Sequence, residues 1–194
     1  MGWKVRHKRP EDDGNAVQFY SNPGAKVYEK NAMRHIQGKI LLRALQLVEI
    51  PQGARVLDAG CGTGFGMQLL ESLGFSVAGF DVSPDMVAVA KKKKLQAVAG
   101  DLRKIPFPNS SFDAIVSISA LQWVPLKERG AVSAEFKRIL VDGGVAAIQF
   151  YPASEEEMMA TGKIFRQAGF KVVVNVDNEG NPRKRRVFLV LRKP

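Results

Sequence analysis

Apolar and polar positions along the chain alternate between two rhythms, one of period near four and one of short continuous runs. Ile36, Ile40, Leu41, Ala44, Leu45 and Val48 repeat at the spacing of a buried helical stripe, which Pro51-Gln52-Gly53 stops. Ala54–Asp58 then reads as a short buried strand running into a glycine cluster, followed by a helix near 65–73 that ends at Gly74. Val77–Asp81 is a second strand. Ser83 with Pro84 and Asp85 behind it is an N-cap, so another helix opens there. Gln96–Asp101 and the strongly apolar Asp113–Ser119 are strands three and four. Val132, Phe136, Ile139 and Leu140 stripe a helix that Asp142-Gly143-Gly144 terminates, and Val145–Tyr151 is a fifth strand closed by Pro152. Ser154 and Glu157 have capping-box spacing ahead of a helix ending at Gly169. Two late strands, near 171–176 and 186–191, flank a basic, turn-prone segment.

Strands alternating with helices imply an α/β fold with a parallel sheet and helices on both faces. The late pair, with no helix between, implies an antiparallel hairpin at one side of the sheet. Residues 1–20 are polar and unpatterned, so residues 1–30 are expected to form an N-terminal arm and 31–194 one domain. A length of 194 residues agrees with about one domain.

Composition narrows the function classes. With 45% hydrophobic and 25% charged residues the chain has the make-up of a globule, not of a disordered segment. No apolar run reaches the roughly 18 residues of a membrane span, and the first residues lack a secretory apolar stretch. The expectation is a cytoplasmic chain with no membrane partner. A single cysteine excludes an internal disulfide, and with two histidines it cannot build a Cys/His zinc site, so no metal is expected. The net charge of +10 points towards a polyanionic partner, with a lysine-rich surface kept for solubility as the plain alternative.

Candidate chemistry begins at Val56-Leu57-Asp58-Ala59-Gly60-Cys61-Gly62-Thr63-Gly64, which sets three glycines at alternate positions between a strand and a helix. Such a loop lets backbone approach a ligand and aims helix N–H groups at it. The dinucleotide fingerprint fails in both registers, because Phe65 or Met67 stands where its third glycine belongs. No Gly-Lys-Ser/Thr follows, so a phosphate-binding P-loop fails too. Asp81 lies 23 residues after Asp58, where a carboxylate can accept both ribose hydroxyls, and Asp101 lies 20 residues further. All three acids fall at carboxyl ends of parallel strands, the edge at which open α/β sheets bind ligands. Each aspartate alone is more often a cap or turn former; the combination is specific.

That combination resembles the class I S-adenosylmethionine-dependent methyltransferases. The resemblance implies a Rossmann-like, seven-stranded, mostly parallel sheet of order 3-2-1-4-5-7-6 with the last strand antiparallel. It implies S-adenosyl-L-methionine as cofactor, with its methionine end over Asp58, Gly60, Cys61, Gly62 and Gly64, its ribose on Asp81 and its adenine near Asp101 and Leu102. Val82 and Met86 would pack on the adenine, and Ser117, in one reading through its backbone carbonyl alone, Ser119 and Gln122 would bond the methionine portion or the substrate base. Cys61 then needs no nucleophilic role.

Stretches outside those motifs resemble more closely the family that methylates guanine N7 in small-subunit ribosomal RNA. They are Arg9–Asp12, Phe19-Tyr20, His35–Lys39, Arg43–Leu45, Ser117–Trp123, Gln149–Pro152 and Arg186–Leu191, of which Ser117–Trp123 and Gln149–Pro152 discriminate best. Eukaryotic members carry a long lysine- and arginine-rich C-terminal extension where this sequence stops at Pro194, and a longer loop after Trp123, so a compact archaeal-type version is expected.

Guanine N7 carries a lone pair and no proton, so its methylation needs no general base. Catalysis then lies in holding the base in line, and stacking on aromatic rings serves that purpose. Trp123, Tyr151 and Tyr20, with Gln122, are the candidate catalytic side chains, and Phe150 is weighed equally as core. His35 and Gln37 are candidates for closing the arm over the cofactor. Arg183–Arg186 and Arg192-Lys193 are candidate phosphate contacts, whereas Lys91–Lys94 follows a helix whose dipole cations complement. The resemblance further implies small-subunit ribosomal RNA as partner, and a heterodimer with a small zinc-binding activator protein on the third strand, at the sheet edge. Two rivals remain: a small-molecule methyltransferase acting on a carboxylate or quinone, and a cofactor-binding ribosome assembly factor.

Overall fold

The computed structural model describes residues 16–20, 31–181 and 184–194. Most of the expected arm, including Arg9–Asp12, lies outside the described residues, as does Arg183. In order, the elements are α1 (Ala16–Phe19), α2 (Asn31–Gln46), β1 (Arg55–Ala59), α3 (Phe65–Ser72), β2 (Ser76–Asp81), α4 (Pro84–Lys92), β3 (Ala97–Ala99), β4 (Phe112–Ile118), α5 (Arg129–Ile139), β5 (Leu140–Phe150), α6 (Glu155–Gln167), β6 (Lys171–Asp177) and β7 (Arg186–Arg192). Two 3-10 turns, Leu121–Trp123 and Leu126–Glu128, fill the stretch between β4 and α5.

The strands form one sheet of order β3-β2-β1-β4-β5-β7-β6. β1 to β5 run parallel, and β7 is antiparallel to both β5 and β6. Successive strand residues face opposite sides, so the sheet needs apolar cover on both. Val56 packs with Met67, Leu70 and Val87 of α3 and α4. Leu57, its neighbour, packs with Phe136 and Phe165 of α5 and α6. Ile40 and Ala44 of α2 close over Ala147 and Phe188.

Two expectations need correction. Ile36 is 46% exposed, so it does not share the buried stripe that Ile40, Leu41 and Ala44 form on α2. Leu140 is buried as expected but in the strand. It turns extended (φ −73°, ψ 142°) and pairs with Phe112. The ladder then skips to Ala114 against Val145, so Asp142-Gly143-Gly144 bulges out within β5 instead of separating it from the helix. Lys193 stabilises that bulge by donating from its backbone N to the Gly144 carbonyl and from Nζ to that of Leu140, at 2.9 and 2.8 Å.

A buried cation fixes the ends of two site-side loops. Arg129, 1% exposed, donates to the Val124 carbonyl (3.0 Å), the Thr161 hydroxyl (2.6 Å) and Glu157 (2.6 Å), and lies over the Phe150 ring. Glu157 also accepts from the backbone N of Ala153 at 2.6 Å. The loop after β4 and the loop after β5 are thereby held by one ion pair.

Candidate active site

Every parallel strand delivers its carboxyl end to the same edge of the sheet, and a cavity of about 410 Å³ opens there. The glycine loop after β1 forms its floor. Gly60 has φ +90°, and a Cβ on it would lie 2.5 Å from the Ala120 Cβ, so the loop after β1 meets the loop after β4 with no room for a side chain. At Gly62, by contrast, a Cβ would meet nothing within 4 Å, because this part of the loop faces open space. The Gly62 backbone N donates to Asp81 Oδ2 at 2.9 Å, and that of Ser83 to Asp81 Oδ1 at 2.9 Å. Asp81 is therefore aimed by two amides, each carboxylate oxygen keeping a further lone pair for a ligand.

The carboxylates differ in their electrostatics. Asp58 is buried beside a second acid, and desolvation first, with the charge of Asp81 second, pushes its pKa up to about 7. Burial also raises Asp81, against the lowering effect of its backbone N–H bonds. Asp101 is held below the ordinary carboxylate range by Arg103, whose Nε and Nη2 donate to its two oxygens at 2.8 and 2.5 Å. Arg103 also bonds Glu128, tying the loop after β3 to the second 3-10 turn. Burial pushes the Cys61 thiol far up, which disfavours the thiolate a nucleophile would need.

Asp58, Gly60, Cys61 and Gly62 border the cavity, as do Asp81, Val82 and Met86 on the next strand end and Asp101 and Leu102 on the third. Ser119, Trp123 and Tyr20 are further expected residues found there. Four others stand off its wall. Gly64 (φ +83°) caps α3 and packs under Leu95. Ser117 is fully buried, its hydroxyl donating to the Ala59 carbonyl at 2.8 Å, so it joins β4 to β1. Gln122 turns back, its Nε2 donating to the Ser119 carbonyl at 2.8 Å. Tyr151 lies under the Arg186 guanidinium, 5.7 Å from its ring centroid, where β5 meets β7. Phe150 is core. Gln37 reaches the cavity, whereas His35 is exposed.

Several bordering residues escape a sequence reading. Gly66 in the first turn of α3 leaves room for Asp58, and Arg103 and Glu128 meet only in three dimensions. Phe19 packs with Tyr20 and Trp123, ring centroids 4.9 and 5.5 Å away, and Tyr20 lies 5.6 Å from Trp123. This aromatic cluster sits where α1 crosses the cavity, and Ser83 Oγ donates to the Tyr20 carbonyl at 3.2 Å. Among the described residues no helix is long and apolar enough to cross a membrane.

Comparison with known proteins adds three kinds of finding. Residues 57–148 match a family model described as a methyltransferase domain. Over 200 residues the chain is 32% identical to the 18S rRNA (guanine-N(7))-methyltransferase bud23 of Schizosaccharomyces pombe, covering 95% of this chain and 74% of that protein. A Bos taurus 18S rRNA (guanine-N(7))-methyltransferase is 33% identical, with 96% and 72% covered. Among solved structures, the complex between the Haloferax volcanii Trm112 methyltransferase activator and a methyltransferase matches with TM-score 0.74 at 18% identity, covering 93% of this chain and 98% of that one. Haemonchus contortus phosphoethanolamine N-methyltransferase 2 in complex with S-adenosyl-L-methionine matches at TM-score 0.71 and 20% identity, covering 97% and 61%.

Proposed function

The chain belongs to the 18S rRNA (guanine-N(7))-methyltransferase family, and from that premise we propose that it methylates N7 of a guanine in small-subunit ribosomal RNA. It is an S-adenosylmethionine-dependent methyltransferase of class I fold. The residues present fit the cofactor: an open glycine cradle lies at Gly62, and Asp81 is aimed by two amides with acceptor capacity to spare. When bound, S-adenosylmethionine supplies an electrophilic methyl group.

The rest is positioning by the chain. Asp81 accepts from the ribose hydroxyls, and Asp58 offers a carboxylate to the cationic methionine end. Val82, Met86 and Leu102 give the adenine an apolar seat, and an amino group reaching Asp101 competes there with Arg103. Because N7 brings no proton, no residue need act as base. The chain has instead to hold the purine with N7 facing the methyl group, at about 3–3.5 Å, and to keep water out. The observation that carries the reading is the aromatic cluster of Phe19, Tyr20 and Trp123, of which Tyr20 and Trp123 border the same cavity as Asp58, Asp81 and Asp101. Replacing Asp81 by Ala is expected to weaken S-adenosylmethionine binding at least 10-fold by calorimetry and to abolish methyl transfer to small subunits. Undiminished binding would contradict the site.

For a partner, the reading extends to a small zinc-binding activator protein that adds a strand to β3. Support comes from the position of β3 at the sheet edge and from the fold likeness to the activator-bound Haloferax methyltransferase.

A further inference from the structure

β4 ends at Ile118, and the chain leaves the sheet at Ser119 with φ +57°, in the left-handed region that a residue with a side chain rarely enters. Lys94, Ser110 and Asn178 are the other described non-glycine residues with positive φ, and none of them borders the cavity, whereas Ser119 does. Such a conformation is disfavoured for any residue bearing a Cβ and persists only where its surroundings hold it.

The hold comes from Gln149, which faces the turn from β5. The Ser119 backbone N donates to the Gln149 carbonyl, and the Ser119 hydroxyl donates to Gln149 Oε1, both at 2.9 Å. The Gln149 amide is itself fixed, because its Nε2 donates to the Phe150 carbonyl at 3.2 Å. Turned the other way, it would set Oε1 against that carbonyl, acceptor to acceptor, so Oε1 faces Ser119. Gln149 is fully buried and does not border the cavity. Its neighbours from Val145 to Phe150 are all buried and apolar, and an amide among them costs desolvation that an apolar side chain would not. Its presence there is explained by what it bonds, which is the turn.

The turn in turn decides the course of the cavity wall. Directly after it Ala120 abuts Gly60, and the 3-10 turn Leu121–Trp123 brings Trp123 to the cavity. Resting on the reading that methyl transfer takes place in this cavity, we propose that Gln149 is a positioning residue. Without touching the cavity it holds Ser119 in its left-handed turn and so places Ser119, Ala120 and Trp123 for the reaction.

The test is a set of single-turnover rates of methyl transfer to small ribosomal subunits at saturating S-adenosylmethionine, so that changes in cofactor affinity drop out. Gln149→Met keeps the bulk of the side chain and removes the acceptor. It is expected to slow transfer about 5- to 30-fold, the factor by which a Cβ disfavours left-handed backbone. In a Ser119→Gly background the same change is expected to cost less than about threefold, because glycine enters that conformation unaided. Ser119→Ala, which lacks the hydroxyl but keeps the Cβ, is expected to be about 5- to 30-fold slower than Ser119→Gly. That comparison leaves β5 untouched and stands even where Gln149→Met does not fold. A Gln149→Met protein with a lowered melting temperature and an unchanged rate would make Gln149 a packing residue and overturn the proposal. A Gln149→Met loss undiminished by Ser119→Gly would overturn it as well. So would equal rates for Ser119→Ala and Ser119→Gly, which would give the hydroxyl a direct role on the substrate or cofactor. Wild-type protein that transfers no methyl group to small subunits would defeat the underlying function itself, and this inference with it.

Discussion

In the first turn of α3, a Cβ on Gly66 would stand 2.5 Å from Asp58 Oδ2. The site thus depends on a glycine whose reason is a carboxylate eight residues earlier. In a helix, alanine is preferred to glycine by about 1 kcal/mol. Gly66→Ala is therefore expected to leave the melting temperature nearly unchanged while weakening S-adenosylmethionine binding at least 10-fold by calorimetry; unaltered binding would show that Asp58 can move freely. Asp58 also sets a pH dependence. Its pKa, raised by burial to about 7, means the folded chain holds a proton that the unfolded chain releases near 4. Asp58's own contribution to the stability of the cofactor-free protein is fully present below that range and is lost as pH rises towards 7, with a limiting slope of about 1.4 kcal/mol per pH unit. Asp101, Asp113, Glu135 and Asp177, held low by their arginine partners, act in the opposite sense in acid. Urea titrations at pH 5 and pH 8 are expected to show a smaller drop for Asp58→Asn than for wild type; equal drops would deny the burial effect. The three aspartates were legible because strand ends lie in sequence beside them. Arg103 with Glu128, and Phe19 with Trp123, were not, because each pair is made by elements far apart in the chain.

At the scale of elements, the sheet order follows from strand-helix alternation together with the family resemblance, whereas the boundary of β5 does not. Asp142-Gly143-Gly144 has the composition of a helix stop, and only the pairing of Leu140 with Phe112 shows that the strand has already begun. The four candidates that stand off the cavity share a cause. Gly64, Ser117, Gln122 and Tyr151 lie within motif strings, but each is turned into packing or a local hydrogen bond. The edge strand β3 gives the sharpest prediction at this level. Gln96 O accepts from Gly79 N and Gly100 N donates to Asp81 O, so these even-numbered positions face β2, and the Ala99 N–H points outward. Proline is tolerated on an edge strand where its missing N–H faces away from the sheet. Ala99→Pro should keep the fold and the affinity for S-adenosylmethionine but weaken a complex with an activator protein, read by co-purification and size-exclusion chromatography. An undisturbed complex would place that partner elsewhere.

Over the whole molecule, a net charge of +10 gives a long-range attraction for polyanions that a small apolar substrate would not require. The topology puts part of that charge beside the site. β7 runs antiparallel to β5, so its first residue, Arg186, and the preceding Lys184 and Arg185 lie at the sheet edge where the cavity opens. Cofactor cavity, aromatic cluster and basic turn thus share one end of the molecule, as expected of an enzyme that draws a base from a folded RNA. The most direct measurement is transfer of tritium from labelled S-adenosylmethionine to purified small ribosomal subunits, with digestion of the RNA to nucleosides and with transfer RNA and free carboxylates as parallel acceptors. It should be run with and without a zinc-binding activator. The expected result is label recovered as 7-methylguanosine from the small-subunit RNA. Label in another nucleoside, or only in a small acceptor under both conditions, would contradict guanine N7 as the target.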